Sequence, residues 1–303
     1  MTTNLRYMTT NIFVVIMENN LVVRKHNDVN EACYKMSVPE MRLILSCVAQ
    51  IDFEQIITKE DPFYISAVEY SKIFGVDQKN VHREIKKAVA ELWDAEIIIP
   101  RENKKPLITR WISAKAEYGD GGAEIHWASD VIPYLMKLHE NGNYTMYQLE
   151  NVGGLKSAYG IRLYELLIQY KTIGERIIQV QELREMLCLG DKYKKMCNLK
   201  ARVLDVAIKE INAETDLNIS YKNIKRGRSI IALHFTIKGK RKAPEVTPKN
   251  PKKHLSPEDT YKEFQKPRFR HIQNYQEGFE ILEKEGYTLN KLSPSVGGVS
   301  IMQ

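Results

Sequence analysis

No stretch of the 303-residue chain approaches the roughly 18 consecutive apolar residues that a membrane-spanning helix needs, and the apolar run at 12–17 is also too short for the core of a secretory signal. The four cysteines, Cys33, Cys47, Cys188 and Cys197, contain no CxxC pair and lie within apolar helical patterns. Neither a zinc site nor a disulfide framework is expected from them, only buried, reduced thiols in a reducing cytoplasm. The seven histidines, His26, His82, His126, His139, His234, His254 and His271, are scattered and include no His-x-His pair, so the metal pair that a rolling-circle nuclease sets beside its tyrosine is missing. The glycine-rich segment at 153–157 lacks the GxxxxGK[ST] order and a buried strand before it, which excludes a phosphate loop. With these constellations absent, no enzymatic activity, no metal and no cofactor is expected.

What the chain does have is length for two domains of roughly 100–150 residues and a formal net charge of +7. Clustered cations gain free energy by releasing counterions condensed on nucleic acid, so a polyanionic partner is indicated. From Ser37 the spacing predicts a helix, with Glu40 completing a capping box and Val38, Met41, Ile44, Leu45, Val48 and Ile51 at helical intervals. A short extended run at 63–65, a short helix at 66–74 closed by Gly75, and a longer helix capped by Asp77 follow. In that longer helix Val81, Ile85, Ala88, Val89 and Leu92 share one face, while Lys79, Arg83 and Lys86 fall opposite, flanked by His82 and Lys87. Two strands at 96–100 and 107–112 then flank a basic loop that carries Lys104 and Lys105. A strand at 123–127 and a helix capped by Ser129 or Asp130 complete a first domain that ends near 140–143.

The second half repeats the order. A helix at 159–170, an extended run at 175–178 and a short helix stopped at Gly190 lead to a long helix over about 193–214, then to a hairpin at 217–237. Taking Val203, Leu204, Ala207, Ile208 and Ile211 as the core face of the long helix puts Lys195, Asn198, Arg202 and Lys209 outward, with Lys194 and Lys200 at the sides. The second hairpin arm alternates, with Ile231, Leu233, Phe235 and Ile237 on one face. Its tip holds Lys222, Lys225, Arg226 and Arg228 with no acidic residue between Lys222 and Lys238. One basic helix is most simply a solvated face. Two copies of short helix, turn, basic helix and basic hairpin describe an α+β chain of two tandem winged-helix domains, in which a helix enters the major groove and a wing reaches the backbone. Arg and Lys can donate to guanine and Asn can pair with adenine, whereas a hairpin tip favours phosphate.

The stretches LVVRKHNDVNEACYKMSVPEMRLILSCVAQI (21–51), FYISAVEYSKIFGV (63–76), TRWISAKAEY (109–118), YQLENVGGLKSAYGIRLYELLIQY (147–170) and LKARVLDVAIKEINAETDLNISYKNIKRGRSIIALHFTI (199–237) resemble the theta-type, iteron-binding plasmid replication initiators. That resemblance implies binding of direct repeats at an origin, local duplex opening with the host initiator and replicative helicase, and repression of the protein's own promoter by a dimer on an inverted repeat, with monomer and dimer in equilibrium. It also puts the base-reading segment at 195–202. Family members often carry consecutive arginines where this chain has Lys200-Ala201-Arg202, a departure at the middle position. The rival reading is a plasmid-borne winged-helix repressor without initiator activity. The expected organisation is a flexible segment at 1–19, a first winged-helix domain at 20–142 for dimerisation and backbone contact, a second at 143–239 for major-groove recognition, and a largely disordered tail at 240–303. The tail opens on a basic linker, since 238–256 holds seven Lys or Arg and one acidic residue.

Overall fold

The computed structural model describes residues 21–51, 56–101, 103–136, 138, 143–240, 252–255, 282 and 287–289. The N-terminal segment at 1–19 and most of the tail at 240–303 lie outside the described residues. So does most of the boundary segment at 140–143.

The first half begins with β1 (Val22–His26), α1 (Asn27–Glu31) and β2 (Cys33–Tyr34), then α2 (Val38–Val48). At its start the expected capping box forms, with the Ser37 backbone N–H donating to the Glu40 carboxylate at 2.7 Å. Next come β3 (Pro62–Ile65), α3 (Ala67–Phe74) and α4 (Gln78–Leu92). Ser66 accepts from the Glu69 N–H at 3.1 Å to cap α3, Gly75 ends it with φ of 63°, and Asp77 accepts from the Lys79 N–H at 2.8 Å to start α4. All five apolar residues expected on the inner face of α4 are buried.

Two hairpins follow. In the first, β4 (Glu96–Ile99) pairs with β5 (Leu107–Arg110) and joins β2 in a three-stranded sheet. In the second, β6 (Ile112–Glu117) pairs with β7 (Ala123–Trp127), and β7 also pairs with β3 in the order β3-β7-β6. The strand that precedes the helix pair therefore joins the second hairpin, and the wing of this domain is β6–β7. This corrects the reading of the basic loop with Lys104 and Lys105 as the wing, because that loop tips an extra hairpin in a different sheet. The cause is that hairpin signals are local whereas strand partnership is not. Among the described residues the helix expected from Ser129 or Asp130 does not start there: Val131 caps a single 3₁₀ turn, Ile132–Tyr134, with Pro133 inside it.

β8 (Tyr144–Gln148) runs back to pair with β1 from Val22–Gln148 to His26–Tyr144. After the short α5 (Glu150–Gly153) comes α6 (Ala158–Ile168), buried on every side from Gly160 onward. The second domain then has β9 (Glu175–Gln179), α7 (Val180–Met186), α8 (Met196–Leu199), a π-helical stretch Lys200–Leu204, α9 (Asp205–Glu214), β10 (Leu217–Arg226) and β11 (Ser229–Gly239). Its sheet order, β9-β11-β10, repeats the β3-β7-β6 plan. In β11 the partner register shifts between Ile224 and Lys225, so Ile231 bulges into solvent while Ala232 turns inward, a departure from strict alternation. Within the tail, β12 (Lys252–Leu255) and β13 (Tyr287–Leu289) form a parallel pair.

The cysteines depart from expectation. Cys33 on β2 and Cys188 beyond α7 form a disulfide across 155 residues, Cys197 is exposed, and only Cys47 is a buried free thiol. Spacing along a chain carries no information about a pair that distant.

The centre of the fold is polar. Glu165 on α6 is 1 % exposed and takes the Lys25 ammonium and the Tyr147 hydroxyl on one oxygen, the latter at 2.6 Å, and Arg162 at 3.2 Å on the other. Burial alone would raise the Glu165 carboxyl, but Lys25 and Arg162 together hold it below the usual carboxylate range. A group depressed in the folded state contributes stability above its unfolded pKa and loses it as pH falls through the folded value. Glu165→Ala should therefore destabilise the protein by about 3–5 kcal/mol, because Lys25 is left buried and unpaired. Urea unfolding at pH 7 checks this, and the gap between wild type and variant should narrow as the pH falls below the glutamate range. A variant as stable as wild type at neutral pH would refute it.

Candidate nucleic-acid interface

The second domain presents a helix and a hairpin whose outer surfaces are cationic. Between α7 and α8 the chain makes a long turn with positive φ at Cys188, Gly190 and Tyr193. Arg184 on α7 fastens that turn. Its guanidinium donates to the carbonyls of Tyr193 at 2.9 Å and of Gly190 and Lys192 at 2.7 Å each. Lys195 takes the N-cap position, so the helix begins one residue after it. Beyond it Leu199, Val203, Leu204, Ala207 and Ile211 are buried, and Lys195, Asn198, Arg202 and Lys209 are exposed. The π-helical stretch, with Arg202 in its middle, inserts a wider turn into the helix where its base-reading residues were expected.

Two of the lateral lysines are engaged. Lys194 pairs with Asp191 at 2.7 Å, and Lys200 lies half-buried with its ammonium 5.4 Å from the centre of the Tyr221 ring. Tyr221 stands on β10 and donates to Asp205 on α9 at 2.8 Å, tying the stem of the wing to the helix. At the tip, Gly227 has φ of 60° and leads a two-residue turn with Arg228, the type II′ geometry that suits a twisted hairpin. Lys222, Lys225, Arg226 and Arg228 are all exposed there. Among the described residues none of these four, nor Lys195 or Arg202, has an acidic group within ion-pair distance.

The first domain has the same plan with a different charge. Lys79, Arg83 and Lys86 are exposed on α4, but Arg83 donates to Asn80 at 2.9 Å and Lys86 lies 3.5 Å from Glu117 at the end of β6. The tip of β6–β7 holds Asp120, which accepts from the Tyr64 hydroxyl, and Tyr118, which donates to Glu124 at 2.6 Å. The hydrogen bonds from Tyr64 and from the Gly122 N–H hold the Asp120 carboxyl below its ordinary value. A Cβ on Gly121 would sit 2.5 Å from the His82 ring, so the absence of a side chain lets the wing pack directly on α4. The first wing is thus acidic where the second is basic. Lys104 and Lys105 are exposed on the β4–β5 tip, where the Lys105 carbonyl accepts from Arg101 at 2.8 and 3.0 Å.

Two family models match the chain. "Initiator Replication protein, WH1" covers residues 22–168 and "Initiator Rep protein, WH2" covers 179–237. The chain belongs to the initiator replication protein family. An Escherichia coli protein named replication initiation protein is 27 % identical over 241 residues, covering 76 % of this chain and 73 % of its own. The PI protein of Escherichia coli is 23 % identical over 249 residues, covering 70 % and 81 %. The crystal structure of Pi initiator protein in complex with iteron DNA superposes with a TM-score of 0.64 at 22 % identity, over 72 % of this chain and 97 % of that one, and so shares its fold. Among the described residues of this initiator, no cluster of His, Cys, Asp and Glu could hold a metal ion, and no helix is long and apolar enough to cross a membrane.

Arg184, Asp205 and Tyr221 were not singled out from the sequence. Each looks like an ordinary surface residue until its partner, nine or sixteen positions away, is placed beside it. Because Arg184 orders the turn through a fork of hydrogen bonds that lysine cannot reproduce, Arg184→Ala and Arg184→Lys should both lower affinity for a specific duplex by about tenfold. Helix content by circular dichroism should be retained. Wild-type affinity in the alanine variant would show that the turn needs no clamp.

Proposed function

We propose that this protein starts plasmid DNA replication by binding direct repeats, the iterons, at the origin. In this reading Lys195, Asn198 and Arg202 read base edges in the major groove, and Lys222, Lys225, Arg226 and Arg228 hold the backbone from the wing, with Lys194 and Lys200 beside them. The first domain, residues 20–142, governs dimerisation and touches the backbone through Lys79, Arg83, Lys86, Lys104 and Lys105, while residues 143–239 carry recognition. Bound initiators open the duplex and recruit the host initiator and replicative helicase. A dimer on an inverted repeat represses the protein's own promoter. The protein works in the cytoplasm and performs no covalent chemistry.

The observation that carries this reading is the accumulation of unpaired cations on one helix and one hairpin of the second domain, against an acidic wing in the first. Family membership and the initiation and iteron-bound relatives support it. Symmetry supports the assembly, since a twofold dimer fits a palindrome but cannot place both of its reading heads alike on tandem repeats.

Arg202→Ala should cost about 1–3 kcal/mol against the specific repeat and relax preference at one base position, with little change on scrambled duplex. Arg226→Ala or Arg228→Ala should weaken both duplexes alike and reduce the salt slope by roughly 0.9 per lost phosphate contact. Titrations of both duplexes at several salt concentrations measure this. Equal losses for Arg202→Ala, with a wing variant that loses only specificity, would reverse the two roles. As for assembly, light scattering with footprinting should find monomers on direct repeats and dimers on the inverted repeat, and intact dimers seated on single direct repeats would contradict the scheme.

A further inference from the structure

Cys33 and Cys188 sit at the seam between the two winged-helix domains. Cys33 is on β2, directly after Ala32, whose carbonyl accepts from Arg162 at 2.8 Å. Cys188 lies two residues after Met186, whose carbonyl accepts from the same guanidinium nitrogen at 3.1 Å. The two corners that Arg162 holds by hydrogen bonds are thus also the two corners that the disulfide joins, with a Cα separation of 4.9 Å that needs no backbone movement to bridge. A second tie, the Arg176–Glu31 ion pair at 2.6 Å, spans the same seam. These contacts bring the two corners together alongside the sulfur bond.

The bond is also reachable. Both cysteines are half-buried and line an open groove of about 1330 Å³, whose walls include Glu31 and Lys35 from the first domain and Arg176, Ile177 and Arg184 from the second. Cys188 opens the positive-φ turn and lies eight residues before the helix start at Met196. Joining it to β2 fixes the root of the reading helix to the first domain.

We propose that Cys33 and Cys188 form a reversible redox staple that sets how freely the reading helix can move relative to the first domain. In the closing direction, a small disulfide such as oxidised glutathione accepts the two electrons. One cysteine thiolate forms a mixed disulfide and expels one glutathione thiolate; the other then attacks that mixed disulfide and expels the second. Two thiols become one S–S bond, and the oxidant leaves as two thiols. Opening by reduced glutathione or thioredoxin-type dithiols is the reverse. In a reducing compartment an accessible pair of this kind rests open and closes under oxidation. Closed, the arrangement in which both domains are docked is pre-organised, so less ordering is left for DNA to impose.

The test uses the full chain carrying Cys197→Ser, which removes the exposed thiol. Titration of thiols in denaturant should fall by two between dithiothreitol-treated and oxidised-glutathione-treated protein, and a digest of the oxidised protein should contain a peptide pair joined through Cys33 and Cys188. The oxidised form should bind a single specific repeat at least about threefold more tightly than the reduced form, in the direction expected of pre-organisation. Cys33→Ser and Cys188→Ser should each abolish the joined peptide pair and the redox effect, limit the thiol loss to the single mixed disulfide that the remaining cysteine can form, and bind as the reduced form does. An unchanged thiol count, or a joined pair with no effect on affinity, would overturn the proposal. Thiol count and peptide mapping need no DNA, so failure of the staple is distinguishable from failure of the DNA-binding reading.

Discussion

The arrangement of this protein rests on Arg162. Its two terminal nitrogens reach the Tyr34 hydroxyl, the Glu165 carboxylate, and the carbonyls of Asn30, Ala32 and Met186. Those partners come from α1, β2, α6 itself and the end of α7, so one buried cation holds the corner of the first domain and the helix that precedes the reading helix of the second. A charge this deep is tolerable because a counter-charge and acceptors for both terminal nitrogens are supplied, with Nε alone left without a partner. That requirement explains why α6 is buried all round although it carries both Arg162 and Glu165. Its two charged residues pair inside the fold, and Lys25 and Tyr147 from the β1–β8 pair complete the set.

With the seam fixed, the two domains diverge in electrostatics. They share a strand order, a helix pair and a hairpin, yet Glu117, Asp120 and Glu124 surround the first wing while the second has only Lys and Arg at its tip. A wing with that acidic cluster pays a repulsive cost on approach to phosphate, whereas the second gains counterion release. The same fold can therefore be used twice on one DNA without both copies being readers. The first copy has its cations on the outer face of α4 and on the extra β4–β5 tip.

Much of this was legible in the residues. The inner faces of α4 and of the long helix of the second domain, the Ser37 and Asp77 caps, and the extent of the second hairpin all follow from local rules, and local rules act within a turn or two of the chain. The failures have a common cause. Strand partnership put the first wing on β6–β7 rather than around Lys104 and Lys105, and it is a long-range choice that hairpin patterns do not encode. Nothing local to Lys25 on β1 points to the Glu165 that α6 brings to it. The Cys33–Cys188 pair spans 155 residues, and the π-helical stretch alters which side chains align without altering which residues are apolar.

The π-helical stretch matters most for which side chains the long helix presents outward. An α-helix that began at Met196 would advance 100° at each residue, and the outward stripe would follow from that alone. A wider turn over Lys200–Leu204 resets the phase between the residues before it, Lys195 and Asn198, and Lys209 after it. Lys200 is held toward Tyr221 on the wing, and Ala201 has no polar group to offer a base. Arg202 is then the sole cation within the stretch whose side chain is exposed and lacks a protein partner among the described residues. Where relatives of the resembling family often carry consecutive arginines, this chain concentrates guanidinium chemistry at one position. The direction in which that guanidinium is presented is set by the backbone of the stretch.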